Sequence, residues 1–341
     1  MLTTQLIDHI LKTIPHKTIG LIGDLFLDRY LDIDPVRDEP SIETGLTAYQ
    51  VTQVRSYPGA LGTVMNNLAA LSMGRIEPIA IIGDDGEGYE LRQALHRLPS
   101  VQTDGLIIAP DRRTPTYTKP MYGDRELNRL DIKNRTPTPS SHEDAVLAKI
   151  DDAWSRLDAV IVLDQVSEEN CGVITTRVRE HLTALCKRSP SKFVLADSRE
   201  QIGLFHNMCI KPNRLEIENW LRTSEREQQS FESNLQFVAE QLQRAVFCTR
   251  SEDGIYVAQP GRTAIARIPA YKVAGPIDSC GAGDSCSAAI ASAMVCGFTH
   301  EQAAAFGNLV ASITIQQIGT TGTATPTQVR GRWLEVTGEI T

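Results

Sequence analysis

The feature that most constrains this 341-residue chain is a repeated alternation of apolar, strand-like runs with helical patterns. Strands are predicted at 18–24, 75–83, 158–164, 192–197 and 245–249, and helices at 59–73, 89–98, 171–188 and 233–243. Parallel strands need long crossover connections, and helices supply them on both faces of the sheet. The alternation therefore predicts one α/β domain over residues 1–341, a doubly wound sheet flanked by helices.

Two stretches, 30–57 and 113–132, interrupt this alternation. Both are rich in β-branched and polar residues, and neither has a helical period. We expect them to form two hairpin-like excursions that pair into a small sheet outside the main one, a candidate lid. Two long surface loops are the alternative.

Composition excludes several classes of protein. The net charge is −8, which argues against nucleic-acid binding because a phosphate backbone needs a basic surface. The seven cysteines form no C-x-x-C pair, so a zinc ribbon or a thioredoxin-type site is not indicated. No apolar run approaches the roughly 18 residues of a membrane span, and the N-terminus does not resemble a signal peptide. We therefore expect a cytoplasmic protein that does not bind membranes.

The segment 277–297 carries the clearest chemical signal. A strand end leads into Gly281, Ala282, Gly283 and Asp284, and a helix of small residues follows. Glycines at a helix start let backbone N–H groups converge on an anion, and the helix dipole adds positive potential. An aspartate in the first turn could accept a proton from an attacking hydroxyl. Tight packing, with Asp284 as a helix cap, is the alternative.

This segment resembles the GAGD signature of the ribokinase/PfkB carbohydrate kinases, and other family motifs occur in family order between about residues 18 and 326. They are a Gly-Asp-x-x-x-Asp pattern at 23–28, a Gly-rich turn at 57–71, G-x-D-x-x-G at 83–88, N-x-x-E at 213–216 and a nucleotide turn at 249–254. Within the family, the start at 23–34 and the lid segments 116–122 and 127–134 most resemble the kinase domain of heptose 7-phosphate kinases. Because the sequence ends near residue 341, we expect no fused nucleotidyltransferase domain.

The resemblance implies a ribokinase-like fold and transfer of the ATP γ-phosphoryl group to a sugar or sugar-phosphate hydroxyl, with Mg²⁺ as the metal ion. Asp284 would be the catalytic base, and the N–H groups of residues 281–284 would stabilise the transferring group. The implied sugar-binding residues are Asp24, Asp28, Gly59, Gly62, Thr63, Asn67, Lys119 and Arg129. The implied nucleotide-binding residues are Arg199, Asn213, Thr249, Ser251, Gly254 and Asn308, with Asn213 and Glu216 at the metal.

Each of several implied roles has a structural alternative. Asp28 could cap a turn, Arg199 could be a solvated surface charge, and Asn308 could be a buried packing amide. Lys119 and Arg129 could be surface charges of the lid or form a salt bridge between subunits. Lids of this family commonly form dimer interfaces, so a homodimer is expected.

Four departures from the family pattern bear on activity. Thr63 replaces an asparagine, Met121 an arginine, Ser251 a glycine and Cys280 a threonine. Such changes shift which substrate groups can be satisfied. A catalytically silent sugar- or nucleotide-binding protein of kinase ancestry is therefore the alternative. An NAD-dependent oxidoreductase is not favoured, because the first strand turn lacks G-x-G-x-x-G.

Overall fold

The computed structural model describes residues 2–123, 125–222 and 229–338. The strands are β1 (Thr18–Gly23), β2 (Leu25–Ile33), β3 (Glu39–Pro40), β4 (Thr47–Ala48), β5 (Val51–Ala60), β6 (Arg75–Gly83), β7 (Leu106–Ala109), β8 (Thr116–Tyr122), β9 (Arg125–Glu126), β10 (Leu130–Ile132), β11 (Ala159–Asp164), β12 (Phe193–Ser198), β13 (Cys209–Ile210), β14 (Val246–Thr249), β15 (Ile255–Ala258) and β16 (Ala266–Ile268). The helices are α1 (Thr4–Thr13), α2 (Leu61–Ala70), α3 (Gly86–Leu95), α4 (Ser140–Trp154), α5 (Thr176–Arg188), α6 (Arg214–Leu221), α7 (Phe231–Leu242), α8 (Ala282–Val295), α9 (His300–Thr314) and α10 (Pro326–Thr337).

The main sheet has the strand order β16-β15-β14-β13-β12-β11-β1-β6-β7. Its strands are parallel from β14 to β7, and β15 and β16 add an antiparallel edge. The reversal of strand order around β1 confirms the predicted doubly wound sheet. Ligands of such sheets bind at the carboxyl ends of the strands, next to this reversal.

Helices cover both faces of the main sheet. Apolar residues of α1, α2, α3, α8, α9 and α10 form one buried core, which contains Phe247 and Phe306. Apolar residues of α4, α5, α6 and α7 form the other, which contains Phe205. This two-sided burial explains why the central strands read as nearly continuous apolar runs.

Capping residues move two helix starts away from the predicted ones. Helix α5 begins at Thr176, because the hydroxyl of Thr175 accepts the N–H of Val178 at 3.3 Å. The predicted start at residue 171 was too early. Helix α3 begins at Gly86 and was predicted too late, since the carboxylate of Asp85 caps it.

The two predicted excursions pair with each other, so the alternative of two surface loops is wrong. They form a separate sheet of order β10-β8-β2-β5, with β9 paired to β8. Strands β2 and β8 are parallel, whereas β2 and β5 are antiparallel. The paired region is wider than predicted, because β2 starts at Leu25 and β5 ends at Ala60.

The register gives this small sheet two chemically different faces. Residues opposite each other in a sheet share a face. Asp28 lies between Tyr57 and Tyr117 on one face, whereas Leu31 lies between Val54 and Pro120 on the other. Arg29, between Ser56 and Thr118, shares the face of Leu31, but it is paired with Glu90 of α3 at 2.8 Å. We call the two faces the polar face and the apolar face of the small sheet.

In the part of the chain that the structure describes, no helix combines the length and apolar character needed to cross a bilayer.

Candidate active site

The first turn of α8 forms the mouth of the candidate anion hole. Gly281 precedes it in a left-handed conformation (φ 76°), where a side chain would be strained and would press on Thr321. The first helical hydrogen bond runs from the N–H of Ser285 to the carbonyl of Gly281 at 2.9 Å. The N–H groups of Gly283 and Asp284 precede this bond, so they have no partner within the helix. An anion at the helix mouth could accept both.

The loop before α8 is fixed by its own hydrogen bonds. The N–H of Ala282 donates to the carbonyl of Ser279 at 3.1 Å, so this amide is already engaged in a turn. The carboxylate of Asp278 accepts the N–H of Cys280 at 2.9 Å and that of Gly319 at 2.9 Å. The set of amides open to an anion is therefore narrower than the predicted 281–284.

The carboxyl group of Asp284 is half-buried in the first turn of α8. Burial and the nearby carboxylate of Asp197 raise its pKa to about 7, while the cations of Lys211 and Arg199 oppose the rise. The carboxylate of Asp28, across the cleft on the small sheet, also raises it. A carboxyl group with a pKa near 7 suits proton acceptance at neutral pH.

A buried ion pair beneath α8 was missed by sequence reasoning. The Nζ of Lys211, just after β13, lies 2.8 Å from Oδ2 of Asp197 on β12. The hydroxyl of Ser287 on α8 donates to the same oxygen at 3.1 Å. The sequence did contain a signal for this pair, because Asp197 and Lys211 are charged residues at the ends of two buried strands. Charged residues are seldom buried unless they are paired.

Asp28 lies on the polar face of the small sheet, inside β2, which rules out its alternative role as a turn cap. Its Oδ1 is 3.7 Å from Nζ of Lys119, which donates to the hydroxyl of Tyr30 at 3.1 Å. Burial raises the pKa of Asp28, and the Lys119 ammonium opposes the rise. A Cβ atom on Gly59 would lie 2.7 Å from Oδ2 of Asp28, so this glycine leaves room for the carboxylate.

The two predicted arginines differ in how they are held. Arg129 makes a bidentate pair with Asp131, and its guanidinium lies 4.1 Å from the ring centroid of Tyr117. Arg199 is exposed and forms no ion pair with any carboxylate of the described residues. Its charge nevertheless opposes the raised pKa of Asp284. Arg199 is therefore the arginine with more freedom to meet a phosphate.

Asp24 braces the loop that follows β11. Its side chain is 3% exposed, and its two carboxylate oxygens accept N–H groups of Gln165 at 2.8 Å, Val166 at 3.1 Å and Val173 at 2.8 Å. These main-chain donors account for the aspartate at this position. A carboxylate has about four acceptor positions, so these three bonds leave one position of Oδ1, and the predicted sugar contact of Asp24 stays a prediction.

Three predicted residues of the Gly-rich turn are buried in α2. Asn67 is fully buried, and its Nδ2 donates to the carbonyl of Thr63 at 2.9 Å. Contrary to the prediction, Asn67 therefore has no exposed surface with which to contact a sugar. A Cβ atom on Gly62 would lie 2.2 Å from Cβ of Pro58, which indicates a packing role. Thr63 is also buried, but its methyl group would be 3.4 Å from a Cβ on Gly281, beside the helix mouth.

The N-x-x-E residues cap α6. The N–H of Asn213 donates to Oε2 of Glu216 at 2.8 Å, and Oδ1 of Asn213 accepts the N–H of Glu216 at 2.9 Å. Burial, together with the Asp197 carboxylate, raises the pKa of Glu216 to about 7. This reciprocal capping box fixes one carboxamide and one carboxylate next to the ion pair of Lys211.

The predicted nucleotide turn follows β14 next to α6. The N–H of Thr249 donates to the carbonyl of Pro212 at 2.9 Å. Ser251 has a φ of 50°, so the serine that replaces the family glycine keeps a left-handed backbone. At Gly254 (φ 85°), a Cβ atom would lie 2.1 Å from the carbonyl oxygen of Ile268, so only glycine fits.

Asn308 of α9 is 7% exposed and links this helix to the end of β16. Its Nδ2 donates to the carbonyls of Ile268 and Pro269, both at 3.0 Å. These bonds account for a buried amide by packing alone. Contact with a bound adenine stays a prediction.

Two of the openings beside the small sheet are lined by predicted sugar-binding residues. One encloses about 530 Å³ of space that includes open solvent, and its lining includes Asp24, Phe26, Tyr117, Lys133 and Gln165. The second encloses about 260 Å³ and is lined by Asp28, Tyr30, Arg55, Tyr57 and 319–321. The second opening adjoins the mouth of α8, because Thr321 would touch a Cβ on Gly281.

This arrangement agrees with comparisons against known proteins. The family profile described as pfkB family carbohydrate kinase matches residues 25–328, from β2 to the start of α10. The chain belongs to the PfkB family. Family membership makes this PfkB protein a carbohydrate kinase, a phosphotransferase whose acceptor is an alcohol group.

Curated relatives carry the name Bifunctional protein HldE. The one from Geotalea uraniireducens is 30% identical over 312 residues, covering 91% of this chain and 61% of the relative. The one from Gluconobacter oxydans is 24% identical over 307 residues, covering 89% of this chain and 61% of the relative. This PfkB chain thus spans about three fifths of the length of these relatives.

Solved structures of the same fold include ribokinases. The Arabidopsis thaliana ribokinase complexed with ribose and ATP has a TM-score of 0.67 at 16% identity, over 93% of this chain and 98% of that one. The Thermotoga maritima ribokinase has a TM-score of 0.65 at 18% identity, over 93% and 99%. These likenesses confirm the predicted ribokinase-like fold of this PfkB kinase.

Proposed function

We propose that this PfkB kinase transfers the γ-phosphoryl group of ATP to a hydroxyl of a sugar or sugar phosphate, with Asp284 as the catalytic base. The observation that carries the proposal is the position of Asp284. It lies in the first turn of α8 beside two open N–H groups, close enough to Asp28 for the two carboxylates to affect each other.

The proposed step needs a proton acceptor and a cradle for negative charge. Asp284 takes the proton of the attacking hydroxyl while its oxygen bonds to the γ-phosphorus, and the bond from that phosphorus to the ADP oxygen breaks. The N–H groups of Gly283 and Asp284, together with the helix dipole, would stabilise the charge on the transferring group. The products are ADP and a phosphorylated sugar.

The sugar would lie between Asp28 and Asp284, under the polar face of the small sheet. Asp28 and the adjacent Lys119 offer an acceptor and a donor to sugar hydroxyls. We assign the small sheet as a lid, because its polar face covers this space and closure would exclude water. Heptose 7-phosphate is the favoured substrate, supported by the resemblance at 116–122 and 127–134.

ATP would lie over the C-terminal half, near Thr249, Gly254 and Asn308, with Arg199 toward the phosphates. The oxygens of Asn213 and Glu216 suit hydrated Mg²⁺, which keeps several waters and prefers oxygen ligands. Within the described residues, no group of three or more His, Cys, Asp or Glu is arranged to hold a metal ion directly. Binding through water therefore fits this site, and the ion would neutralise phosphate charge.

We also propose that the protein is a homodimer joined through the apolar face of the small sheet. Val54 is 49% exposed beside the partly exposed Leu31, and Leu130, two strands away on the same face, is 61% exposed. A cluster of exposed apolar side chains on a sheet often marks an interface.

The test of the proposed function is ADP release from ATP with free sugars, hexose phosphates and heptose 7-phosphate, followed by Asp284→Asn. The variant keeps the shape of the side chain but cannot accept the proton, so turnover should fall by about 10³-fold or more while ATP affinity stays within a few fold. Turnover that survives in Asp284→Asn, or no turnover with any acceptor, would overturn the proposal.

A further inference from the structure

A buried ammonium group lies directly below the mouth of α8. The side chain of Lys211 is 5% exposed, and its Nζ is 3.6 Å from the place a Cβ atom would take on Gly283. Gly283 itself is exposed, so the space above this nitrogen opens to the cleft. A larger residue at position 283 would fill that space.

Only part of the bonding capacity of this ammonium is used. A lysine ammonium has three N–H donors. Among the described residues, Oδ2 of Asp197 at 2.8 Å is the one acceptor within hydrogen-bond distance of it. The same oxygen also accepts the hydroxyl of Ser287 at 3.1 Å, which divides its negative charge between two donors. Buried donors without acceptors are costly, so the two remaining N–H groups call for a ligand.

Lys211 stays protonated despite its burial. Burial disfavours the charged form, but the neighbouring carboxylate of Asp197 outweighs it, and the pKa of Lys211 lies above its ordinary value. Other charges around it come from Asp284 on α8, from Glu216 on α6 and from Arg199 after β12. The nearby groups therefore include more carboxylates than cations. Because these carboxylates repel the phosphates of a bound polyphosphate, the ammonium of Lys211 is needed to offset them.

We propose that Lys211 is a catalytic residue whose ammonium donates to the terminal phosphoryl oxygens of ATP, together with the N–H groups of Gly283 and Asp284. The inference rests on the proposed function and adds a fixed cation to it. The ion pair with Asp197 and the bond from Ser287 hold the lysine in place before ATP binds. Such preorganised charge costs no rearrangement during the transfer.

The decisive measurement compares the affinities for ATP and AMP, because only ATP carries the terminal phosphoryl group. In Lys211→Met, calorimetry should show ATP binding weakened by about 10-fold or more, the size of a lost charge-assisted bond, with AMP binding within about 2-fold. Lys211→Arg should recover part of the ATP affinity, because it retains the charge. Lys192→Met is the matched control, since this lysine bonds to Leu157 and lies over Trp154 instead.

A second variant separates binding from folding. Lys211→Met leaves Asp197 without its partner and could unfold the chain, so Lys211→Met with Asp197→Asn removes both charges. If the folded double variant no longer binds ATP more tightly than AMP, the inference is supported. An unchanged ratio of ATP to AMP affinity in either folded variant overturns it. A wild-type protein that binds ATP but phosphorylates no acceptor would contradict the proposed function. The ratio of the ATP and AMP affinities would still test the role of Lys211.

Discussion

Gly59 on β5 leaves room for the carboxylate of Asp28 on the neighbouring β2, because a Cβ atom on the glycine would lie 2.7 Å from Oδ2 of the aspartate. The two residues belong to different motifs, yet each restricts the other. The carboxylate keeps its position only because residue 59 has no side chain.

Gly59→Ala should therefore impair sugar binding specifically. The added methyl group displaces the Asp28 carboxylate, so KM for the sugar should rise by about 10-fold or more, because small misplacements of a binding group are costly. KM for ATP should stay unchanged, and steady-state kinetics with each substrate varied would measure both. Gly86→Ala is the control, since nothing lies within 4 Å of a Cβ there. Equal effects of the two substitutions would contradict the assignment.

The activity should fall in acid with a midpoint near pH 7. Burial and Asp197 raise the pKa of Asp284 to about 7, and the protonated form cannot accept the hydroxyl proton. Plots of kcat/KM against pH report groups of the free enzyme, so the acid limb should bend near pH 7, with a slope between one and two because Glu216 titrates in the same range. Activity that is constant from pH 5 to 8 would remove Asp284 as the base.

Ala60→Gly should stabilise the protein. Ala60 has φ 51° and ψ −113° at the junction of β5 and α2, a conformation that suits glycine. Relief of the strain should outweigh the added chain entropy and raise the free energy of unfolding by about 1 kcal/mol. Urea denaturation would measure it. Ala69→Gly, inside α2, should instead lower stability by about 1 kcal/mol; a destabilised Ala60→Gly would refute the strain.

Val54→Lys should weaken self-association. The substitution places a charge on the apolar face of the small sheet, and burying an unpaired charge is unfavourable, so the dimer Kd should rise by about 10-fold or more. Sedimentation at several concentrations would show the shift. Leu204→Lys, at a residue 51% exposed outside this sheet, should leave the Kd unchanged. A wild-type monomer at micromolar concentration would refute the dimer itself.

Sequence patterns predicted most of the fold but less of the site. The strand–helix alternation located the main sheet, and the two irregular stretches located the small one. Predicted helix ends were off by up to five residues, because caps such as Thr175 act over a single turn. Asp28 and Gly59 contact each other as neighbours, and their role at a sugar, like that of Asp284, stays a prediction, whereas Asn67 is fully buried. A motif marks a stretch of chain, but burial within it depends on which side of the helix meets the core.

By itself, the sequence determined the family, the order of the elements and the candidate base, because periodicity and glycine spacing are local properties of the chain. Tertiary structure alone decided that Asp24 braces a loop and that Lys211 lies under α8 against Asp197. Those contacts join residues from separate strands and helices. Their energies depend on burial and distance, which appear only when the sheet has brought the segments together.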